Sequence, residues 1–518
     1  MAAHLQDAAC TPGGHTPAVL LPRTEAEVAH ALREAVSVLP IGAQSSLTGG
    51  ATPFGETVLS LSRMNAVGPI RADRVQVQSG VALVTLDEAL YERQLYYPPA
   101  PTFRGAFVGG TVATNASGAA TFKYGSTRPW VRALTVVLAN GDVLDLERGR
   151  CRAHAEGYFE IILTGGETRR VPTPTYVMPQ VPKRSAGYHA EPQMDLVDLF
   201  VGSEGTLGVI TDVELGLIPA PAHLLGWATF ESEAAALALV AALRDTSHAT
   251  WAASDPRGID VAAIESMDRR CLDLLREDGL DRQSGVRIDL AAETAILFEA
   301  ELPRSTGREG AMDQLAGADD PSSSDGPLKR LVQLLRQAGA FDSLEVGLPG
   351  DRVRKEQLEA LREGVPIAVN HRIAARQRQG HPRVRKTAAD MIVPFASLHA
   401  MMERYREGFD RRGLDHALWG HVSDGNIHAN VIPRSEEDVA LGEDAFLEFG
   451  EEVVRLGGCP LSEHGVGRNA VKQELLRRLY GDQGIEQMRR VKAALDPEWK
   501  LSPGVLFSRQ AAVTGPCR

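Results

Sequence analysis

Apolar and polar positions along the chain follow two rhythms. From Ala18 to Val38 the pattern is strand-like and then helix-like, and Thr24-Glu25-Ala26-Glu27 resembles a capping box opening a helix through Ala35. Apolar Val36 to Pro40 predicts a buried strand, Val75 to Val81 another, and Leu83 to Glu92 a helix. Val131 to Leu146 reads as a hairpin across Asn140-Gly141. Residues 148–195 are polar and proline-rich, which predicts an insertion or loop region with a short strand at Phe159 to Leu163. The composition changes after Pro219-Ala220-Pro221, which marks a boundary. Strand-like runs (Leu225 to Phe230, Ala295 to Glu301) then alternate with helical ones (Glu231 to Leu243, Val261 to Glu277), as in an α+β domain. Arg304 to Gly326, rich in Asp, Ser and Gly, predicts a mobile loop. Helices are predicted at Leu328 to Ala338, around Gln357 to Glu363, at Glu443 to Leu456 and at Glu474 to Leu495. Arginine-rich Ala374 to Lys386 reads as a solvated helix face or as a basic lid over an anionic substrate.

The stretch His416 to Pro433, HALWGHVSDGNIHANVIP, has Asp424-Gly425 between apolar, β-branched runs. That dipeptide predicts a two-residue hairpin turn. Its register sets Ser423 opposite Asn426, Val422 opposite Ile427 and His421 opposite His428, and opposed Cβ atoms lie about 5 Å apart. Two imidazoles side by side suit metal ligation, although two strand histidines with no special role fit the same pattern. Further on, Ser462-Glu463-His464-Gly465-Val466-Gly467 sets an acid and a histidine before glycines. A two-His, one-carboxylate set leaves open positions, which suits a metal that handles substrate.

Three segments are dense in glycine and small hydroxyls: Gly42 to Gly50, Gly105 to Ala119, and Leu199 to Thr211. Such loops close backbone N–H groups on a phosphate and admit close approach of a flat ligand. None matches GxGxxG or a P-loop. Together they suggest one long, planar, phosphate-bearing ligand. The proline-rich segment Tyr96 to Pro101 reads as rigid and extended.

At 518 residues the chain exceeds one core, so two or three domains are expected. A net charge of −12 argues against nucleic acid and anionic membrane surfaces as partners. No apolar run is long enough for a transmembrane segment, and the N-terminus lacks the pattern of a secretory signal. Cys10, Cys151, Cys271, Cys459 and Cys517 are scattered, which excludes an iron–sulfur cluster held by this chain alone and argues against a disulfide framework. Cytoplasmic residence is therefore the expectation.

Together these segments resemble the vanillyl-alcohol oxidase-type flavoproteins, and within them the branch of FAD-linked D-2-hydroxyacid dehydrogenases that act on D-lactate, glycolate or D-2-hydroxyglutarate. GHVSDGNIH is similar to the family's GHxGDGNxH, SEHGVG to its GEHGxG, and DPEWKLSPG to its DPxxxxNPG. The resemblance covers nearly the whole chain. It implies an α+β fold: a two-lobed FAD-binding domain (14–221), an α+β substrate or cap domain with an antiparallel sheet (222–460), and a C-terminal segment (461–510) that returns to the FAD-binding domain.

By this resemblance Gly42, Ala43, Gln44, Ser45, Ser46, Gly49 and Gly50 hold the FAD pyrophosphate. Pro98, Gly109, Gly110, Thr114, Ser117, Gly118, Glu204, Gly205 and Ile210 line the rest of the dinucleotide. His421, His428 and Glu463 match the ligands of a divalent metal, typically zinc. His464 matches the catalytic base, Asn426 an asparagine near flavin and substrate, and Arg362 a clamp for the substrate carboxylate, with Lys386 as a candidate helper. No histidine lies in the 42–50 loop, so non-covalent FAD is implied. The implied reaction is oxidation of a D-2-hydroxy acid. Its electrons pass to an external acceptor, whether quinone, redox protein or oxygen, and a homodimer is the working expectation. Ser502, Ser423, Ala43 and Gln44 depart from the family's usual residues. The rival readings are an oxidase of another alcohol or phenol, an ether-lipid enzyme, and a zinc hydrolase.

Overall fold

The computed structural model describes residues 2–99 and 101–509; Ala100 in the proline-rich segment, Gln510 at the expected end of the C-terminal segment, and Cys517 lie outside the described residues. The chain forms two compact units. One comprises Met1–Gly118, Gly125–Pro219 and Gly450–Arg518, the other Ala119–Tyr124 and Ala220–Phe449.

The first unit is built on two sheets. Val19–Leu20, Thr57–Ser60 and Val38–Ile41 form a parallel three-stranded sheet with Thr57–Ser60 in the middle. The second runs Val67–Ile70, Arg74–Gln78, Val209–Gly216, Val131–Val137, Val143–Glu147, all antiparallel. Helix Glu25–Glu34 packs beside them because Val28, Ala29, Ala31 and Leu32 share one face, buried with Val38, Leu59, Val137, Val209 and Leu501. Its cap is a variant of the expected box: Thr24 Oγ1 accepts from the Glu27 amide, while the Glu27 carboxylate reaches back to the Arg23 amide rather than to that of Thr24. Asn140-Gly141 makes the expected turn, with Gly141 at φ 82°. The polar 148–195 region holds a full hairpin, Tyr158–Ile162 with Thr168–Pro172, where a single strand was expected. Phe159, Ile161 and Val171 are its buried positions, too few to stand out in a polar stretch.

The C-terminal segment returns to this unit as expected. Val38 donates to the Lys500 carbonyl and accepts from the Ser502 amide, so Leu501 lies beside the strand that leads into the first glycine loop. The return is locked by a buried ion pair. Lys492 Nζ donates to Asp496 Oδ2 (2.9 Å) and to the carbonyls of Thr206 (2.8 Å) and Leu501 (2.9 Å). Asp496 in turn accepts from the amides of Lys500 and Leu501.

The second unit is organised on one eight-stranded sheet. In spatial order its main path is Glu345–Gly347, Ala222–Phe230, Thr294–Leu302, Val261–Asp268, His416–His421, Asn426–Val431 and Thr387–Ala388; Met391–Ile392 also pairs with Asn426–Val431. The 261–277 region differs from the expected helix. Val261–Asp268 is a central strand, and the helix begins only at Arg269. Val261 through Met267 are all buried, so the strand lacks the polar–apolar alternation that would have revealed it. Arg304 to Gly326 also differs: it contains helix Arg308–Ala316, anchored by fully buried Ala311. The long helix Arg352–Arg378 buries Leu358, Leu361, Val365 and Val369 in a core with Trp227, Leu274 and Leu275. The short insert Ala119–Tyr124 is tied to this unit by Lys123, which pairs with Asp260 (2.7 Å) and Glu301 (2.6 Å). The domain limits expected at 221 and 460 stand beside unit limits at Pro219 and Phe449.

Lys492→Met removes the cation and leaves the Asp496 carboxylate buried without it. Breaking one partner of such a pair costs about 3–5 kcal/mol. Denaturant unfolding should show the first unit losing stability by that order, with the second unit's transition unchanged.

Candidate FAD cradle and histidine site

In the first unit the three glycine loops meet. The Gly42–Gly50 loop follows strand Val38–Ile41 and is held at its back by the N-terminal segment. The Ala8 and Ala9 amides donate to the carbonyls of Gln44 and Ser46, and Gln44 Nε2 donates to Gln6 O and Ala51 O. Gln44 and Gly49 both have positive φ (53° and 73°), which turns this loop sharply. Ala43, Ser45 and Ser46 are half-buried, and Ser46 Oγ shares a hydrogen bond with Thr48 Oγ1.

The second loop starts as helix Val108–Ala113. A Cβ on Gly109 would lie 2.5 Å from Ser79 Cβ, so no larger residue fits there. A Cβ on Gly42 would lie 3.9 Å from Gly110 Cα, which brings the first and second loops together. A Cβ on Gly110 itself would meet nothing within 4 Å and would point into open space. Thr114 Oγ1 donates to the Gly110 carbonyl. Gly118 closes the segment where the chain passes to the second unit.

The third loop hydrogen-bonds to the second: the Gly202 amide donates to Val112 O and the Glu204 amide to Ala113 O. It also touches the strand that leads into the first, since a Cβ on Gly205 would lie 2.9 Å from Pro40 Cγ. Ile210 lies in strand Val209–Gly216 beyond, its carbonyl accepting from Ser79 Oγ, and Pro98 is buried beside buried Tyr97.

Whether this cradle suits a dinucleotide is tested by Ser117. Its hydroxyl is buried and has no hydrogen-bond partner among the described residues. A buried hydroxyl without a partner is costly, and a polar ligand would satisfy it. With the space at Gly110 and the convergence of three loops, the residues fit FAD.

Glu204 faces another way. Its carboxylate accepts from the amides of Val466 and Gly467, both at 2.8 Å, and so holds the loop that carries Glu463 and His464. Burial lifts its pKa to about 7 against the pull of those amides and of Lys472. Glu463 is nearly buried, with Oε2 3.2 Å from Nζ of fully buried Lys183 and Oε1 3.5 Å from Nε2 of half-buried His464. Lys183 was not singled out by sequence, because it sits in a region read as an insertion.

The histidine pair lies in the second unit, in a register different from the expected one. The connection spans Val422 to Gly425 rather than two residues: Val422–Asp424 forms a 3-10 turn, and Gly425 closes it at φ 82°. His421 therefore pairs with Asn426, and His428 with Trp419. A Cβ on Gly425 would lie 2.2 Å from the Val393 carbonyl, so the turn is pinned by the neighbouring chain. The two imidazoles still share a face, as diagonal rather than direct neighbours. Their ring centroids are 5.3 Å apart and their planes are nearly perpendicular.

Both histidines are buried, and so is fully enclosed Asn426, whose Nδ2 donates to the Met391 carbonyl. His421 Nδ1 lies 2.7 Å from Glu265 Oε1, and His428 Nδ1 lies 3.7 Å from Asp390 Oδ1. Glu265 Oε2 is 3.5 Å from Nε of Arg362, on the long helix. Burial, and then the Arg362 charge, lower Lys386 to about 8. With Nδ1 of His421 facing a carboxylate, the pair suits metal ligation through its remaining nitrogens. Glu265 escaped notice because its strand was read as helix. Asp390 carried no motif of its own.

A family model described as an FAD binding domain matches residues 16–147, and one described as FAD linked oxidases, C-terminal domain, matches residues 229–506. The glycolate oxidase subunit GlcD of Bacillus subtilis is 28% identical over 95% of this chain and 89% of its own length. The D-2-hydroxyglutarate dehydrogenase of Xanthomonas citri is 28% identical over 96% of this chain and 90% of its own. The D-lactate dehydrogenase of Archaeoglobus fulgidus is 28% identical over 94% and 90% respectively. A solved alkyldihydroxyacetonephosphate synthase aligns with TM-score 0.56 at 16% identity, over 94% of this chain and 76% of that one, a likeness of fold. The first family model covers two of the three cradle loops, and the second spans more than half of the sequence: the chain belongs to the FAD-linked oxidases.

Proposed function

We propose that this chain oxidises a D-2-hydroxy acid of the glycolate, D-lactate or D-2-hydroxyglutarate kind to its 2-oxo acid. The supporting observation is the link His421–Glu265–Arg362, in which an imidazole suited to a metal and a guanidinium suited to a carboxylate share one buried acid. A 2-hydroxy carboxylate presents the two matching groups on adjacent carbons. Relatives that match nearly end to end carry names of this substrate class. Membership of the FAD-linked oxidases leaves no ground for the zinc hydrolase.

Non-covalent FAD, when bound in the cradle, supplies the hydride acceptor for C2. A divalent metal, zinc by its donor set, when bound by His421, His428 and Glu463, supplies a Lewis acid for the substrate hydroxyl. Arg362 and Lys386 orient the substrate carboxylate, the guanidinium in bidentate fashion. Asn426 fixes the polar edge of the pocket. His464 takes the hydroxyl proton, a task suited to an imidazole near neutral pH. The electrons then leave to an external quinone, redox protein or oxygen. No helix among the described residues is long and apolar enough to cross a membrane.

A redox-dye assay over D-lactate, glycolate, D-2-hydroxyglutarate and a set of phenols tests the substrate class; turnover of phenols alone would overturn it. His464→Ala should lower kcat by about 10²–10⁴-fold with flavin content unchanged. Lys386 is a cation below about 8 and neutral above it. Substrate binding should therefore weaken as pH rises through that value, and the KM–pH profile should lose this inflection in Lys386→Met.

A further inference from the structure

Beside the histidine pair lies a third group that no motif marked. Glu265 sits on strand Val261–Asp268, whose register sets Ser266 opposite Gly420 on the neighbouring strand. Its side chain is 7% exposed, so its charge is paid for by what it touches. Oε1 faces Nδ1 of His421 at 2.7 Å, and Oε2 faces Nε of Arg362 at 3.5 Å. From this geometry we infer that Glu265 is the positioning residue of the site: one carboxylate sets both the imidazole that holds the metal and the guanidinium that holds the substrate. The inference rests on the roles proposed above for His421 and Arg362.

An ionised carboxylate only accepts hydrogen bonds, so the short contact places the His421 proton on Nδ1. Nε2 is then the lone-pair nitrogen, the tautomer a metal ligand requires, and the carboxylate raises its basicity. The second oxygen is in ion-pair contact, not hydrogen-bonded, with Arg362 at Nε rather than at its terminal nitrogens. A guanidinium held there keeps its terminal edge for bidentate capture of a carboxylate. Among the described residues those terminal nitrogens carry no hydrogen bond. The charge of Glu265 also offsets that of Arg362, whose own charge acts on Lys386. Glu265 thus works from the strand behind the ligands.

The test uses the full-length, flavin-loaded protein. Glu265→Gln keeps the volume and removes the charge; Glu265→Asp keeps the charge with a shorter reach. Zinc affinity is read by competition with a chromophoric chelator, and KM and kcat at saturating zinc. In Glu265→Gln, flavin content should be unchanged and zinc should bind about 10–100-fold more weakly. KM should rise about tenfold as the Arg362 clamp loosens. Glu265→Asp should recover part of the zinc affinity. In an Arg362→Ala background, Glu265→Gln should still weaken zinc but raise KM no further. A flavin-loaded Glu265→Gln with wild-type zinc affinity and KM overturns the inference and leaves the proposed function standing. A wild-type protein that binds no zinc sinks the metal assignment, and this role with it. Should the Gln variant fail to fold, zinc-loaded wild-type protein with ¹⁵N-labelled histidine decides the matter. His421 must show a protonated Nδ1 and a metal-bound Nε2, and the reverse tautomer overturns the inference.

Discussion

The first unit depends on close approach of glycine backbone to neighbouring residues at positions that hold no side chain. Gly109 lies against Ser79, Gly205 against Pro40, and Gly467 against Thr48, where an added Cβ would come within 2.1–2.9 Å of its neighbour. Each contact joins segments far apart in sequence. Together they bring three loops and the Glu463–His464 segment into one construction, with Gly110 left open. A methyl group at any of these glycines would push a loop outward by a distance comparable to a hydrogen bond's tolerance. Cradle geometry is thus set by excluded volume before any polar contact is counted.

Polar groups then hold what excluded volume has placed. Several buried charges span segments that would otherwise separate. Glu204 ties the third glycine loop to the amides of Val466 and Gly467. Lys183 reaches Glu463 from the 148–195 region, and Ser185 two residues on bonds the Ser462 and Thr114 carbonyls. Lys492 and Asp496 fix the returning C-terminal strand. Such pairs gain little net stability over apolar packing, but breaking one is costly, so they select one arrangement of the loops over others.

Local signals made the outer features of this chain readable. Thr24 and Glu27 marked a helix start, Asn140-Gly141 a turn, and glycine density the cradle, because each acts within a few residues. What stayed hidden was non-local. Strand Val261–Asp268 is buried throughout, so its own pattern could not distinguish it from a buried helix. Only its neighbours on either side, Thr294–Leu302 and His416–His421, make it a strand. Helix Arg308–Ala316 has a polar surface composition with one fully buried alanine, which no periodicity could reveal.

The hairpin shows why a mistaken register left the histidine face intact. The expected turn set His421 opposite His428; the observed connection sets it opposite Asn426, a displacement of two residues. Side chains alternate faces with period two, so an even displacement preserves the face while an odd one would invert it. His421, Asn426 and His428 therefore share one surface in either register. The displacement changes only which neighbour lies directly across. It brings fully buried Asn426 opposite His421 and makes the two imidazoles diagonal, with their planes turned nearly perpendicular. Opposed residues at non-hydrogen-bonded positions stand about 4.5–5.5 Å apart at Cβ, and diagonal ones about 7–8 Å. Imidazoles are long enough to close the larger gap from both sides, as their 5.3 Å centroid separation shows. A pair of shorter ligands such as aspartates would not have tolerated the same displacement. The histidine spacing was informative because the side chain's reach exceeds the uncertainty in the turn.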